Sequence, residues 1–264
     1  RDAPRVPWAA SMPRLAASSL ALVALLAGPA RAHAYLIDLN DARVVEHGTM
    51  ELELQPIGYW QTVIGEEEHY LVAPSAQIYW GFGEGWDVLL LTRGWALLDD
   101  VPDQSRYALQ EQMIATRTLL FDGGYSSEGE RDGVSLALQT GLLLPGIEAE
   151  TGFGATLALL FAQRWDAGTL HLNVWTNLTQ ERTFELFVAA VIEGPDAWPV
   201  IPTIEVWLDL DDGEPMLSGM LGALIPIGEE FALQGGVRMG GWEGWLDLEV
   251  RVSSWIYWEV FEPT

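Results

Sequence analysis

Between Trp245 and Ser253 the chain alternates Leu246, Leu248, Val250 and Val252 with Asp247, Glu249, Arg251 and Ser253. Successive side chains of a strand point to opposite faces, so this run predicts a strand with one aliphatic and one ionic face. The pattern recurs. Over 169–178, Leu170, Leu172, Val174, Thr176 and Leu178 alternate with His171, Asn173, Trp175 and Asn177. Further runs follow at 48–59, 69–81, 86–98, 134–144, 153–164, 183–192, 203–210, 216–226 and 231–239. Pro56 and Gly58 predict a bend or bulge near the end of the first run. Leu89 and Leu91 blur the alternation of 86–98. Residues 107–121 are weaker, because Gln110, Glu111 and Gln112 interrupt the pattern before Ile114, Thr116, Thr118 and Leu120 resume it opposite Arg117. A short helix is the alternative there.

Tight turns are expected at Gly83-Glu84-Gly85, Asp166-Ala167-Gly168, Asp211-Asp212-Gly213 and Gly228-Glu229. About twelve strands joined by hairpin-length links, with no helical-period segment between them, predict an all-β, antiparallel up-and-down sheet. Two architectures bury such faces. A soluble sandwich packs two sheets together; a transmembrane β-barrel turns the apolar faces to lipid and the polar ones to a lumen. The polar faces hold Gly, Ser, Gln and charges of both signs, as a narrow wet interior requires. Tyr59, Trp60, Trp80, Trp86, Trp165, Trp242, Trp245 and Trp255 lie near strand ends, as an interfacial girdle would. With both termini on the periplasmic side, the short links 82–85, 165–168 and 226–230 face inside and 61–68, 99–106 and 145–152 outside. The links 122–133 and 193–202 do not fit that alternation of lengths. The barrel is the expected fold.

The start of the chain adds an address. Met12 opens a short basic stretch with Arg14, then an apolar run from Leu15 to Ala27, then Ala30-Arg31-Ala32 and Ala32-His33-Ala34. This reads as a secretory signal cleaved after about residue 32 or 34, with residues 1–11 as an upstream extension. The apolar run is shorter than the ~20 residues a spanning helix needs. The expected organisation is therefore 1–34 as extension and signal, and 35–264 as one outer-membrane barrel in a Gram-negative bacterium.

Charge and chemistry narrow the function. With 38 acidic and 13 basic side chains the chain carries −25, which excludes nucleic-acid binding through clustered cations. No cysteine is present, so no disulfide or thiolate metal site can form. Among His33, His47, His69 and His171 no pair has metal-ligand spacing. No Gly-x-Ser-x-Gly occurs, and Gly81-Phe82-Gly83 and Gly152-Phe153-Gly154 precede no helix that would make them phosphate loops. Neither enzyme activity nor a cofactor is expected. The expected lumen lining is Glu51, Glu53, Asp87, Arg93, Arg117, Gln139, His171, Asn173, Glu185, Glu205, Asp209, Gln234, Arg238, Asp247, Glu249 and Arg251. Its arginines would face carboxylates and set a transverse field, or would plug the barrel by pairing. Glu66-Glu67-Glu68 could bind divalent cations that bridge lipopolysaccharide, although an acidic run is commonly just a solvated face.

Three segments in order, Leu136–Gly146, Gly152–Trp165 and Gly168–Asn177, resemble the bacterial outer-membrane transporter family named for the meta-cleavage pathway of phenol degradation. Thr116-Arg117 and 231–252, with Gly235-Gly236-Val237-Arg238, also fit. The resemblance covers most of 45–255. It implies a barrel of about twelve strands that passes small, often hydrophobic compounds, and it carries no catalytic residues. The chain ends Phe261-Glu262-Pro263-Thr264 rather than in a terminal aromatic residue. The expected partners are outer-membrane lipid, lipopolysaccharide and a small-molecule solute, aromatic ones included. The alternatives are a non-conducting structural barrel, a secreted carbohydrate-binding β-sandwich, which the thirteen Trp would suit, and an outer-membrane acyl hydrolase.

Overall fold

A computed structural model of the chain describes residues 41–55, 59–64, 68–97, 107–123, 133–147, 151–211, 214–228, 231–241 and 246–259. The expected signal, residues 1–34, and the acidic run 66–68, apart from Glu68, lie outside them. The described residues form thirteen strand segments: β1 (Thr49–Gln55), β2 (Tyr59–Ile64), β3 (Glu68–Gly83), β4 (Trp86–Leu97), β5 (Tyr107–Asp122), β6 (Gly133–Leu144), β7 (Gly154–Trp165), β8 (Gly168–Leu178), β9 (Phe184–Glu193), β10 (Ile201–Asp211), β11 (Glu214–Pro226), β12 (Phe231–Gly241) and β13 (Leu246–Glu259). From β2 to β13 each pairs antiparallel with the next in chain order.

The ends of the chain decide the architecture. β1 pairs with β13 on one edge and β3 on the other, and β2 does the same. β1 and β2 are thus two halves of one wall position; Pro56 and Gly58, where a bend or bulge is expected, lie outside the described residues. The sheet closes into a barrel of twelve positions with no free edge, which is what a spanning sheet needs where no water can satisfy its backbone. Strands β3 to β13 have 10 to 16 residues, enough to cross a membrane that requires ~9–11. A sandwich is excluded, because one continuous wall leaves no second sheet to pack against.

The wall is inverted relative to a soluble protein. Leu221 is 67% exposed and Ile204, Val206, Val237, Val250 and Val252 about half exposed, whereas Asp87, Gln139, His171, Glu205 and Glu249 are fully buried. Apolar side chains outside and ionic ones inside are stable only with hydrocarbon around the barrel. Aromatic residues rim both ends. Trp80, Phe82, Phe121, Trp165 and Trp198 are exposed at the proximal end, where Thr49 and Glu259 lie; Tyr107, Phe153 and Phe184 are exposed at the distal end. Trp255, expected in the girdle, faces inward instead, 3% exposed and packed beside Tyr257. Trp86 is half-buried, with its ring 4.9 Å from Phe82. Trp242 and Trp245, and the side chains of Tyr59 and Trp60, lie outside what is described.

Local irregularities explain where the alternation falters. Leu91 pairs with Met113 but Arg93 with Gln110, so β5 carries one extra residue at 111–112, where Gln110 to Gln112 broke the pattern. The segment is a strand, not a helix. A second bulge between Leu119 and Phe121 lets Leu120 and Phe121 both face outward. The link lengths differ from expectation. β2 continues to Ile64, which shortens the first distal link to 65–67, and short links also occur at 212–213 and 242–245 on the distal side. The longer links 123–132 and 194–200 join proximal strand ends. Length therefore does not mark the side.

Candidate functional site: the lumen and the segment that crosses it

Period-two alternation puts every second residue of each strand inside, and the barrel brings these rows together. Among the expected lining residues, Glu51, Glu53, Asp87, Arg117, Gln139, His171, Asn173, Glu205, Gln234, Arg238, Glu249 and Arg251 are buried; Arg93, Glu185 and Asp209 are half-buried. The Asp247 backbone pairs with Gly240 and Val63, and its side chain lies outside what is described.

Three networks organise them. In the first, Arg117 donates Nε to Asp87 Oδ1 at 2.9 Å and Nη2 to Asp87 Oδ2. This two-pronged geometry is the strong form of a carboxylate–guanidinium contact. The Arg117 guanidinium lies over the Tyr79 ring, 4.3 Å from its centroid. Tyr79 donates its hydroxyl to Gln77 Oε1 at 2.8 Å, and Gln77 and Gln234 both donate to Glu53, at 3.3 and 2.8 Å. In the second, Glu249 accepts from Arg238 at 2.9 Å and from Arg251. Arg238 also donates to Ser218 Oγ at 2.9 Å and sits 4.8 Å over the Trp207 ring. In the third, His171 faces Glu193 Oε2 at 3.2 Å and Asp41 Oδ1 at 3.5 Å. With both ring nitrogens beside carboxylates, His171 is placed as an ion-pair member rather than as the base of a Ser–His pair. Buried charges persist only when paired in this way. Beyond the proximal strand ends, burial pushes the Asp196 carboxyl above its ordinary range, opposed by the Arg164 guanidinium at 3.4 Å.

Residues 41–45, unassigned by the alternation, turn out to lie inside the barrel, and Glu46 and His47 are exposed where the chain turns into β1. Gly48 donates its N–H to the Gly81 carbonyl of β3, and Val45 N–H to Asp87 Oδ2 at 2.9 Å. Arg43 pairs with Glu51. Ser135 of β6 donates to the Ala42 carbonyl, and Arg117 to the Asp41 carbonyl. Asp41 then reaches His171 on β8, six wall positions from β1 and so diametrically across the barrel. The lengths agree. Twelve strands ~4.8 Å apart and tilted ~40° enclose a backbone diameter of about 24 Å. The chain turns at 46–49, where Thr49 N–H donates to the Glu46 carbonyl at 3.1 Å, and the five steps of ~3.3 Å from Glu46 to Asp41 cover about 17 Å, with the Asp41 and His171 side chains closing the rest. The segment thus crosses the lumen near its proximal end.

The wall is tailored to it. Ala42 and Val44 pack on Ala137, Ala158, Leu160 and Ala162, with Trp175 against them. Val45 packs on Tyr79, Leu89, Met113 and Ala115. The inward Leu89 and Leu91 that blurred the sequence pattern belong to this seat. A Cβ on Gly81 would overlap the Glu46 carbonyl oxygen, so only glycine lets β3 and the segment meet. Above the segment, Trp175, Phe187 and Trp207 form an inward aromatic row across β8, β9 and β10, with centroids 6.5 and 6.3 Å apart. Among the described residues no group of three or more His, Asp or Glu is arranged to hold a metal.

The fold has a solved counterpart. A crystal structure of the COG4313 outer membrane channel from Pseudomonas putida F1 superposes with a TM-score of 0.56 over 84% of this chain and 100% of that one, at 8% identity. This is an outer-membrane β-barrel fold. The KdgM porin, in a complex with disordered oligogalacturonate, matches more loosely, with a TM-score of 0.47 over 78% of this chain and 98% of that one, at 8% identity. An anion-selective porin from Comamonas acidovorans gives 0.38 over 79% and 98%, also at 8% identity. No protein-family model and no curated protein matches the sequence. The likeness to the phenol-pathway transporter family therefore rests on the segments quoted above.

Proposed function

We propose that this chain resides in a bacterial outer membrane after export and passes small molecules along a narrow, charged lumen. The observation that carries the reading is the inverted wall: aliphatic rows face out all around a closed barrel whose axis is ringed by Arg–carboxylate pairs. In the state seen here residues 41–45 bridge the lumen, so conduction requires that segment to leave its seat on Asp87, Glu51 and Ser135. The aromatic row of Trp175, Phe187 and Trp207 gives the path an apolar flank suited to solutes with a hydrophobic or aromatic face, beside charges that orient polar groups.

The full mature chain should migrate heat-modifiably on unboiled gels and produce intermittent currents in planar bilayers. Replacing Arg238 or Glu249 should alter single-channel conductance, because both line the lumen. A folded barrel that never conducts, even after the crossing segment is weakened, would favour the second reading, a structural barrel. That reading draws on the extent to which lumen charges neutralise one another. Recovery as a soluble monomer without detergent would remove both.

A further inference from the structure

One arc of the lumen wall differs from the rest. Strands β8, β9, β10 and β11 contain no Arg or Lys, yet Glu185, Glu193, Glu205 and Asp209 project from their inward faces, and His171 is the one base among their own residues that can offset them. The lumen arginines stand on β4, β5, β12, β13 and the crossing segment, and Arg43, Arg117, Arg238 and Arg251 each bind a carboxylate of that side. Arg238 reaches the edge of the acidic arc at Trp207, but it is bound to Glu249 and Ser218. Arg182, on the turn joining β8 to β9, is exposed. Charges thus cancel along one arc, and acid is in surplus along the other. The aromatic row of Trp175, Phe187 and Trp207 lies on this second arc.

The distal half of the acidic arc is open to the lumen. Register sets Trp175 beside Phe187 and Phe187 beside Asp209, with Asn177 beside Glu185 one row further out. These five are half-buried, whereas His171, Glu193, Thr203 and Glu205, nearer the proximal end of the same strands, are closed off. The outer row lacks donors. Asn177 donates Nδ2 to Glu185 Oε2 at 3.0 Å, and because a carboxylate only accepts, this bond fixes the amide and leaves Asn177 Oδ1 an acceptor without a partner. Thr156, in register with Asn177 on β7, points inward at 5% exposure, and its Oγ1 is also unmatched. Such atoms are few in native proteins. An anion here would meet Glu185 and Asp209, and a hydrocarbon would leave the oxygens unmatched. A substituted ammonium ion supplies both N–H donors and positive charge. Aromatic faces attract that charge and offer a flat partner to an apolar group. The two rows lie two residues apart along the strands, ~6.6 Å, within reach of a benzene ring that carries a short aminoalkyl chain.

We propose that Trp175, Phe187, Asn177, Glu185 and Asp209 form a lumen subsite for arylalkylammonium ions. The ring lies against Trp175 and Phe187, the ammonium group donates to Asn177 Oδ1 and Glu185, and Asp209 adds attraction from the next strand. The inference rests on the channel reading above and narrows its solutes to cations with an apolar face. The subsite lies distal to the crossing segment, so binding does not require that segment to leave its seat.

The test uses the full mature chain folded in detergent and calorimetric titration with 2-phenylethylammonium, neutral 2-phenylethanol and anionic 3-phenylpropanoate, each corrected for uptake by empty micelles. The wild type should bind the ammonium ion about tenfold or more tightly than the other two. In the double variant Glu185→Gln, Asp209→Asn, the glutamine still accepts from Asn177, so the wall keeps its hydrogen bond while both charges go. Affinity for the ammonium ion should then fall about tenfold, to that of the alcohol. Trp175→Leu should weaken 2-phenylethylammonium more than ethylammonium, which has no ring. Equal binding of the three probes by the wild type would overturn the proposal, as would unaltered affinity in the double variant or an equal effect of Trp175→Leu on both amines. Should the double variant fail to fold, Asp209→Asn alone should still lower the affinity, and no change there would equally overturn it. Planar bilayers separate this inference from the channel reading. Preferential ammonium binding without current would count against the channel alone, and current without that preference against the subsite alone.

Discussion

Asp87 is where wall and crossing segment meet, and Asp87→Asn separates what each contributes. The carboxylate is fully buried, takes two hydrogen bonds from Arg117, and accepts the Val45 N–H at 2.9 Å. Asparagine keeps the size but offers one oxygen and turns an NH₂ group toward donors. Breaking a buried ion pair costs about 3–5 kcal/mol, so the barrel should unfold at lower urea. The bond from Val45 to a charged acceptor is worth roughly 1.5–3 kcal/mol, so losing it should raise the occupancy of the unseated segment about 10- to 100-fold. The control is Glu249→Gln. It strips Arg238 and Arg251 of their shared carboxylate, at a comparable cost to the wall, yet touches no residue of 41–48 in the contacts described. Single-channel recordings of both variants in planar bilayers, alongside urea unfolding in the same lipid, form the assay. Open-state occupancy should rise in Asp87→Asn and remain near wild type in Glu249→Gln, while both lose stability. Equal open occupancy in the two folded variants would refute the reasoning, because the segment would then not be what holds the lumen shut.

Other consequences follow from the same geometry. Gly81→Ala places a Cβ on the Glu46 carbonyl and should open the lumen as Asp87→Asn does, but with little loss of wall stability; recordings identical to wild type would show that the segment does not dock on β3. Leu221→Arg, mid-wall and outward, should cost about 2–4 kcal/mol in folding into lipid vesicles, whereas Phe153→Arg at the distal rim should cost only ~0–1. Equal costs would mean that the two positions do not differ in depth. Trp207→Ala removes the ring beneath the Arg238 guanidinium and the end of the aromatic row, and should weaken block by small aromatic solutes more than it changes ion conductance; unaltered block would take that row out of the solute path.

Much of the barrel was written locally. A strand's side chains alternate whatever lies around them, so Leu246 to Ser253 declares two faces before any partner is known. Twelve such segments with turn chemistry between them state the sheet and which face of each strand is ionic, and the expected lining residues whose side chains are described are buried or half-buried. Even the faults were local signals. Gln110 to Gln112 mark a bulge, while the expected bend at Pro56 and Gly58 lies outside the described residues. The misplacement of Trp255 has a simple origin: proximity to a strand end suggested a rim, whereas its parity along β13 puts it inside.

What the sequence could not state is which inward residues meet. Glu53 finds Gln234 only because the barrel closes β1 onto β13, and Asp41 finds His171 only because six positions of wall bring β8 opposite the first strand. Such contacts depend on closure and strand count, which belong to the whole sheet. Residues 41–48 pair in no strand ladder and so carry no period to read. Their place is set by a seat of Ala137, Ala158, Ala162 and Gly81 drawn from strands far apart in sequence, a cavity that exists only once the wall has closed.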